Sequence, residues 1–249
     1  MDFMRIYDLE LTNRCNAKCW YCPHSTMKRL QGDVSLGTVF AVIKYMQSIK
    51  QDYIALHHMG EPLLHPIVGV ILDKFWKAGI KTEFSTNGLI LNQKRTEVLK
   101  NHPALIRIAI DSFYKSANFR YEIRQFLKEA QKYPETKISI HTVDGNDLTV
   151  FKNVSDPNQV IFENKVLDNW AGQIKGKSEL AKSRQCYFTA YNYVSVLWDG
   201  TVVSCCLDSE GINKLGHITK MQLIKSNPRN NLCRGCAKLQ FAKNGGWKI

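Results

Sequence analysis

The chain has 249 residues, 44% of them apolar, with 34 Lys and Arg against 22 Asp and Glu and a formal net charge of +12. That length buries a sizeable core as one large α/β domain, alone or with a small annex. No apolar run approaches the roughly 20 residues of a membrane span, and the N-terminal MDFMRIYDLEL carries charges through its apolar stretch, so a soluble, cytoplasmic protein with no membrane partner is expected. The basic residues form no block of five or six, which reads first as a solvated surface. An anionic partner (nucleic acid, a phosphorylated substrate or an acidic carrier) is the other reading of the charge. Eight cysteines in such a chain point to metal or redox roles rather than disulfides.

In chain order, RIYDLEL (5–11) alternates as a strand and runs into a cysteine loop. Ser35 is an N-cap for a helix over 35–49, with Leu36, Val39, Phe40, Ile43 and Met46 at helical spacing. A strand at 53–58 leads into MGEPLLHP, a helix over 66–78, a strand at 81–85 and the turn TNG. A helix (92–101), a strand (105–111), an amphipathic helix (117–132), a strand (137–143), a short connection and a last strand (159–164) follow. This alternation predicts parallel βα units with right-handed crossovers. The Gly/Lys-rich stretch 171–185 reads as a linker, and YVSVLWDGTVVSCC as a hairpin turning at Asp199-Gly200.

The loop after the first strand holds Cys15, Cys19 and Cys22 within eight residues. A closed zinc site needs four protein donors and would recruit His24. A [4Fe–4S] cluster on three thiolates keeps one iron open for a small molecule. The pattern C-x3-C-x-aromatic-C, with Tyr21 before the third cysteine, is similar to the signature loop of the radical S-adenosylmethionine (radical SAM) enzymes. The resemblance implies an open iron that chelates the methionyl amine and carboxylate of S-adenosylmethionine, and a 5′-deoxyadenosyl radical that takes a substrate hydrogen.

Later segments carry the same likeness. Gly60-Glu61-Pro62, after the second strand, resembles the family motif that meets the methionyl ammonium. Ser85 and Asn87 in STNG resemble the segment that contacts ribose and carboxylate, and Asp111, ending the fourth strand, is placed for a ribose hydroxyl. Each motif has a plain alternative, a helix-start turn or a hairpin-type turn. Their shared position at C-terminal strand ends, where parallel βα folds build sites, favours the functional reading.

The last quarter holds Cys186, Cys205, Cys206, Cys233 and Cys236. Cys186, Gly200-x4-Cys205 and Cys233-x2-Cys236 resemble the C-terminal extension of the SPASM/Twitch subgroup, as does LGHI at 215–218. The resemblance implies one auxiliary [4Fe–4S] cluster with four thiolates, Cys205 rather than Cys206 among them; a zinc ribbon on the same residues is the alternative. A cluster ligated by four thiolates has no vacant iron and passes electrons.

The expected fold is α/β, a partial (β/α)6 TIM-like barrel over 1–175 followed by a small β-hairpin and helix auxiliary-cluster (Twitch) domain over 176–249. The expected reaction is a two-electron oxidation of a C–H bond beside oxygen or nitrogen, as in aminocyclitol dehydrogenases of the Twitch group, with flavodoxin or ferredoxin as reductant. Peptide oxidation or crosslinking is the main alternative, followed by RNA modification and a non-catalytic zinc protein that binds nucleic acid. No proton acceptor is assigned; Glu163, Asp168, Asn169 and Trp170 are placed to line a pocket. Alternation turns one of His57 and His58 inward and the other outward, with packing the expected role of both.

Overall fold

The structure, a computed structural model, describes residues 3–165, 169–174, 186–223, 232–233 and 236. Six strands form in the expected order: β1 (Arg5–Leu9), β2 (Tyr53–Ala55), β3 (Lys81–Thr86), β4 (Leu105–Ala109), β5 (Lys137–Thr142) and β6 (Val160–Asn164). Helices α1 (Leu36–Ser48), α2 (Val68–Lys77), α3 (Leu91–Leu99) and α4 (Ala117–Ala130) connect the first five. All five neighbouring pairs are parallel. The outer face of the sheet supplies Ile54, Phe84, Ile106 and Ile138 to the core, and the helices supply Val39, Phe75 and Phe126, all at most 1% exposed. Truncating such a phenylalanine to alanine costs about 3–5 kcal/mol, so this layer fixes the curvature of the opposite, concave face.

Local chemistry accounts for the boundaries. Ser35 caps α1 by accepting the Thr38 amide at 3.1 Å, and Ser116 caps α4 by accepting the Phe119 amide at 3.2 Å. The buried stripe of α1 is Val39, Val42, Ile43 and Met46. Phe40, expected in it, is 49% exposed, because it lies about 100° around the helix from Val39. β1 stops two residues early: the Glu10 amide goes to Val196 O at 2.8 Å, and Leu11 O receives Val34 N at 2.8 Å. β2 is also shorter than expected, ending at Ala55. At the base, β1 lacks a ladder partner on the β2 side, and the buried Gln51 side chain replaces one. It accepts Ile6 N at 2.9 Å and donates to Ile6 O at 2.5 Å. The connection before β6 contains a 3₁₀ segment, Thr149–Val154, in place of an α-helix.

The hairpin forms as β7 (Tyr193–Val196) and β8 (Thr201–Val203), preceded by one helical turn, α5 (Tyr187–Ala190). Gly200 at its turn has φ +86, the left-handed conformation the Asp-Gly pair predicts. β7 lies parallel to β1, so the hairpin extends the barrel sheet, and with a last strand β9 at Lys214–His217 the described strands run β6-β5-β4-β3-β2-β1-β7-β8-β9. β9 covers most of the LGHI element, which the sequence does not mark as a strand. Aromatic contacts fasten the hairpin to the barrel, with Tyr7 on β1 4.9 Å from Phe188 and 5.8 Å from Tyr193 between ring centroids. The junction between residues 175 and 176 and most of the 171–185 stretch lie outside the described residues.

Candidate functional site

The C-terminal ends of β1 to β4 gather the residues singled out in the sequence. Cys15, Cys19 and Cys22 are half-buried on the loop after β1. Burial first, then the charges of Cys19 and Cys15, raises the Cys22 thiol to about 11. Burial raises Cys15 as well, with Glu61 and Cys19 adding to it, against the Ala17 amide and the Asn87 side chain. Crowded thiols of this kind are the donor set that a cationic iron cluster neutralises, since coordination removes the proton outright. His24, the possible fourth ligand, has Nε2 2.8 Å from Asn13 O, so its ring is held by the backbone. Three thiols therefore stand on this loop without that histidine, which fits an open-iron cluster. Among the described residues no three Cys, His, Asp or Glu side chains converge on one point, and Cys19 Sγ lies 2.8 Å from Ser112 Oγ.

The second and third motifs are tied to this loop and to each other. Glu61 N donates to Arg14 O at 2.7 Å. The Glu61 carboxylate accepts Leu63 N at 3.1 Å, starting the 3₁₀ turn Pro62–Leu64, and Asn87 N at 2.7 Å. Burial pushes Glu61 up to about 7, against the Asn87 amide, the Thr86 hydroxyl and the Leu63 amide, which hold it down. Asn87 Nδ2 donates to Asn16 Oδ1 at 2.7 Å and approaches Cys15 Sγ at 3.9 Å. Ser85 shares the concave face, its amide donating to His57 Nδ1 at 3.1 Å. Asp111 is engaged within the protein. It accepts Tyr21 OH at 3.2 Å, Val143 N at 3.1 Å, Asn146 Nδ2 at 3.0 Å and the Thr142 hydroxyl, joining the cysteine loop to the turn after β5. Tyr21 accordingly faces Asp111.

The second cysteine set packs in one region without converging on a point. Cys236, Ala171 and Leu207 form a buried cluster, and Trp170, Cys186, Cys205, Cys206 and Cys233 pack against it. Burial raises Cys205 well above the ordinary thiol range, and Cys206, Asp208 and Cys236 add to it. Asn169 is buried beside this cluster, Glu163 lies on the concave face, and Asp168 is outside the described residues.

Two polar bridges join the turn after β8 to the barrel, and no periodic pattern in the residues marks them. Arg29 makes a bidentate pair with the fully buried Glu10 at 2.7 and 2.9 Å, and its Nε donates to Ser209 O at 2.6 Å. His58 Nδ1 lies 3.3 Å from Asp8, and its Nε2 lies 3.3 Å from Asp208 O. His58 is thus a buried ion-pair partner rather than a packing residue. Burial alone would lower its pKa, but the Asp8 carboxylate wins and raises it to about 8. A pKa raised on folding gives stability that is full below the unfolded value of about 6.5 and lost as pH rises through about 8. Unfolding free energy is expected to fall by about 2 kcal/mol more between pH 6 and 9.5 in the wild type than in His58→Gln, measured by denaturant titration. Parallel profiles for the two proteins would show that the pair is uncharged.

The concave face below the rim is polar. Tyr53 OH and Arg107 Nη2 both reach Glu83 Oε2, at 2.7 and 3.0 Å. Ser139 OH donates to Glu163 at 2.6 Å, and Lys165 Nζ stands 3.7 Å from the same carboxylate. Burial lowers His57, and burial with Lys165 lowers His141 to about 4.

The model of the Radical SAM superfamily matches residues 9–148. Across 97% of this chain and 97% of the relative, the sequence is 24% identical to an uncharacterised protein of Methanocaldococcus jannaschii. It is 32% identical, over 37% of this chain and 38% of the relative, to the S-adenosyl-L-methionine-dependent 2-deoxy-scyllo-inosamine dehydrogenase of Niallia circulans. Among solved structures, BtrN in complex with AdoMet and 2-DOIA has a TM-score of 0.66 at 18% identity, over 98% of this chain and 92% of that one. Streptococcus suis SuiB bound to precursor peptide SuiA has a TM-score of 0.64 at 15% identity, over 96% of this chain and 71% of that one. Both likenesses are of fold, and they agree with the partial α/β barrel expected from the strand and helix order.

Proposed function

Because the chain belongs to the radical SAM superfamily, we propose that Cys15, Cys19 and Cys22 hold its [4Fe–4S] cluster and that the protein carries out a two-electron oxidation of a small substrate. When bound, the reduced cluster and S-adenosylmethionine supply a 5′-deoxyadenosyl radical, and a second cluster supplies an acceptor for the remaining electron. Gly60 lets the backbone after β2 approach the cysteine loop closely, and Glu61, Pro62, Ser85 and Asn87 shape the cofactor's seat on the adjoining strand ends. Asp111 holds Tyr21 and the turn after β5 as the rim of that seat. The fused hairpin closes the chamber from the β1 side, and the buried aromatic contacts of Tyr7 exclude water there. A carbon-centred radical beside a hydroxyl or amine gives up one proton and one electron to become a ketone or imine, which completes the oxidation.

The observation that supports the oxidative reading is the packing of the half-buried Cys186, Cys205 and Cys233 against the cluster that contains the buried Cys236. We assign residues 176–249 as the auxiliary-cluster unit, of which β7 lies on the β1 edge of the sheet. Cys205 is the proposed ligand in preference to Cys206, on the Gly200-x4-Cys205 spacing. Flavodoxin or ferredoxin is the proposed source of the first electron. Anaerobically reconstituted wild type is expected to carry about eight iron atoms per chain, and Cys236→Ser about half of that, by colorimetric iron analysis and electron paramagnetic resonance. Iron contents equal in the two proteins, or zinc in place of iron at the second set, would overturn the assignment.

A further inference from the structure

Among the described residues, the concave face carries more hydrogen-bond donors than acceptors to meet them. Arg107 on β4 has five N–H donors, and among the described residues one partner, Glu83 at 3.0 Å. Lys165, just past β6, has its ammonium 3.7 Å from Glu163, longer than a hydrogen bond. His141 Nδ1 on β5 is buried with no hydrogen-bond partner, a state that costs about 1–3 kcal/mol when left unrelieved. Strand register brings these groups together: Arg107 pairs with Ser139, and Ala109 pairs with His141, which in turn pairs with Glu163. Their charges act on one another, with Arg107 and Lys165 both felt by His141 and Arg107 felt by Lys165.

The acceptors facing the same space are already engaged. Glu83 takes Tyr53 and Arg107, and Glu163 takes Ser139. The unused valence is thus on the donor side, in a half-buried chamber where charge-assisted hydrogen bonds are strong. Arg107 lies in the middle of β4, four residues before Asp111 at the rim. An anion there holds the far end of a small molecule and leaves its body between the anchor and the rim.

We propose that Arg107 and Lys165, with His141 between their strands, form the anchor for a carboxylate or phosphate group on the substrate. The proposal rests on the barrel chamber being the substrate chamber of a radical SAM oxidoreductase, and it adds the class of molecule that enters. The guanidinium fork suits either anion bidentately, and Lys165 adds a point charge. His141, kept neutral by burial, offers a hydrogen bond without adding a third positive charge.

The test uses the anaerobically reconstituted holoenzyme saturated with S-adenosylmethionine, titrated calorimetrically with inorganic phosphate and, separately, with malonate. One saturable site is expected for at least one probe, and the tighter of the two names the anionic group. Lys165→Gln is expected to weaken it at least tenfold. Arg107→Lys, which keeps the charge and loses the fork, is expected to weaken it severalfold. Lys44→Gln, on the exposed face of α1, is the control for the general effect of a +12 surface. No saturable site for either probe below about 20 mM, or equal effects of Lys165→Gln and Lys44→Gln, overturns the proposal. Release of 5′-deoxyadenosine by the same wild-type preparation before any anion is added tests the underlying activity separately. A preparation that cleaves the cofactor but binds neither probe sinks the anchor alone, and one that binds a probe but cleaves nothing sinks the radical reading alone.

Discussion

Cys19→Ala is expected to release no measurable 5′-deoxyadenosine from S-adenosylmethionine under anaerobic, reducing conditions, a loss of at least about a thousandfold in single-turnover rate. The side chain is well suited to separate chemistry from folding. Its thiol is half-exposed and meets Ser112 Oγ at 2.8 Å. A neutral contact at the surface is worth at most about 1 kcal/mol, so the variant should keep its circular dichroism spectrum and nearly its whole unfolding midpoint. Cluster assembly is different in kind, because removing one of three thiolates from an open-iron site leaves two irons without protein ligands. The variant should also keep the iron held by the second cysteine set, giving about half the wild-type content. Product from Cys19→Ala comparable to wild type would remove the first cysteine loop from the mechanism. Loss of secondary structure in the variant would instead show that the loop has a structural role that its half-exposed thiols do not reveal.

The parts of this site that the sequence disclosed are those set by short-range chemistry. Three cysteines at fixed spacing, a glycine before Glu61 and the Ser85-Asn87 turn are read from single stretches of chain, and the period of apolar residues places each at a strand end. The helix caps Ser35 and Ser116 are local in the same sense, although only the first is evident before the structure. What stayed hidden depends on distant pairing. Nothing near Tyr193 indicates that β7 lies parallel to β1, since a hairpin signal records the turn and not the neighbour on the far side. Arg29 and Glu10 are ordinary charged residues in sequence, and their burial as an ion pair emerges when the turn after β8 covers the barrel mouth. Arg107 and His141 stand on two separate strands and Lys165 just past a third, so each reads alone as a polar residue on an exposed face. Curvature of the sheet into a partial barrel turns that face into an interior.

The second large effect is expected at Gly60, where the fold and the cofactor seat depend on one missing methyl group. Gly60 has φ +84, and a Cβ built there would lie 2.7 Å from Arg14 O and 2.8 Å from Asn13 Cα, with Thr12 O also in contact. All of these are main-chain atoms of the segment leading into Cys15, and the segment has no slack. Thr12 Oγ1 donates to Gly32 O at 2.9 Å, Asn13 Nδ2 to Leu30 O at 2.8 Å, and Gly32 N to Asn13 Oδ1 at 2.8 Å. An added methyl must therefore strain the backbone on one side or the other. Gly79 gives the comparison, since its φ is +75 and a Cβ there meets nothing within 4 Å. Both alanine variants carry the left-handed conformation, at about 1–2 kcal/mol. Gly60→Ala carries in addition the cost of overpacking, about 1–3 kcal/mol. Gly60→Ala should thus lose about 2–5 kcal/mol by denaturant titration and Gly79→Ala about 1–2. Gly60→Ala should also bind less iron at the first cysteine set, because the strain falls on the residues that aim Cys15, whereas Gly79→Ala should bind the wild-type amount. Equal losses of stability with unchanged iron in both would mean that the segment before Cys15 yields to the methyl group, and that Gly60 serves its turn rather than the approach of the two loops.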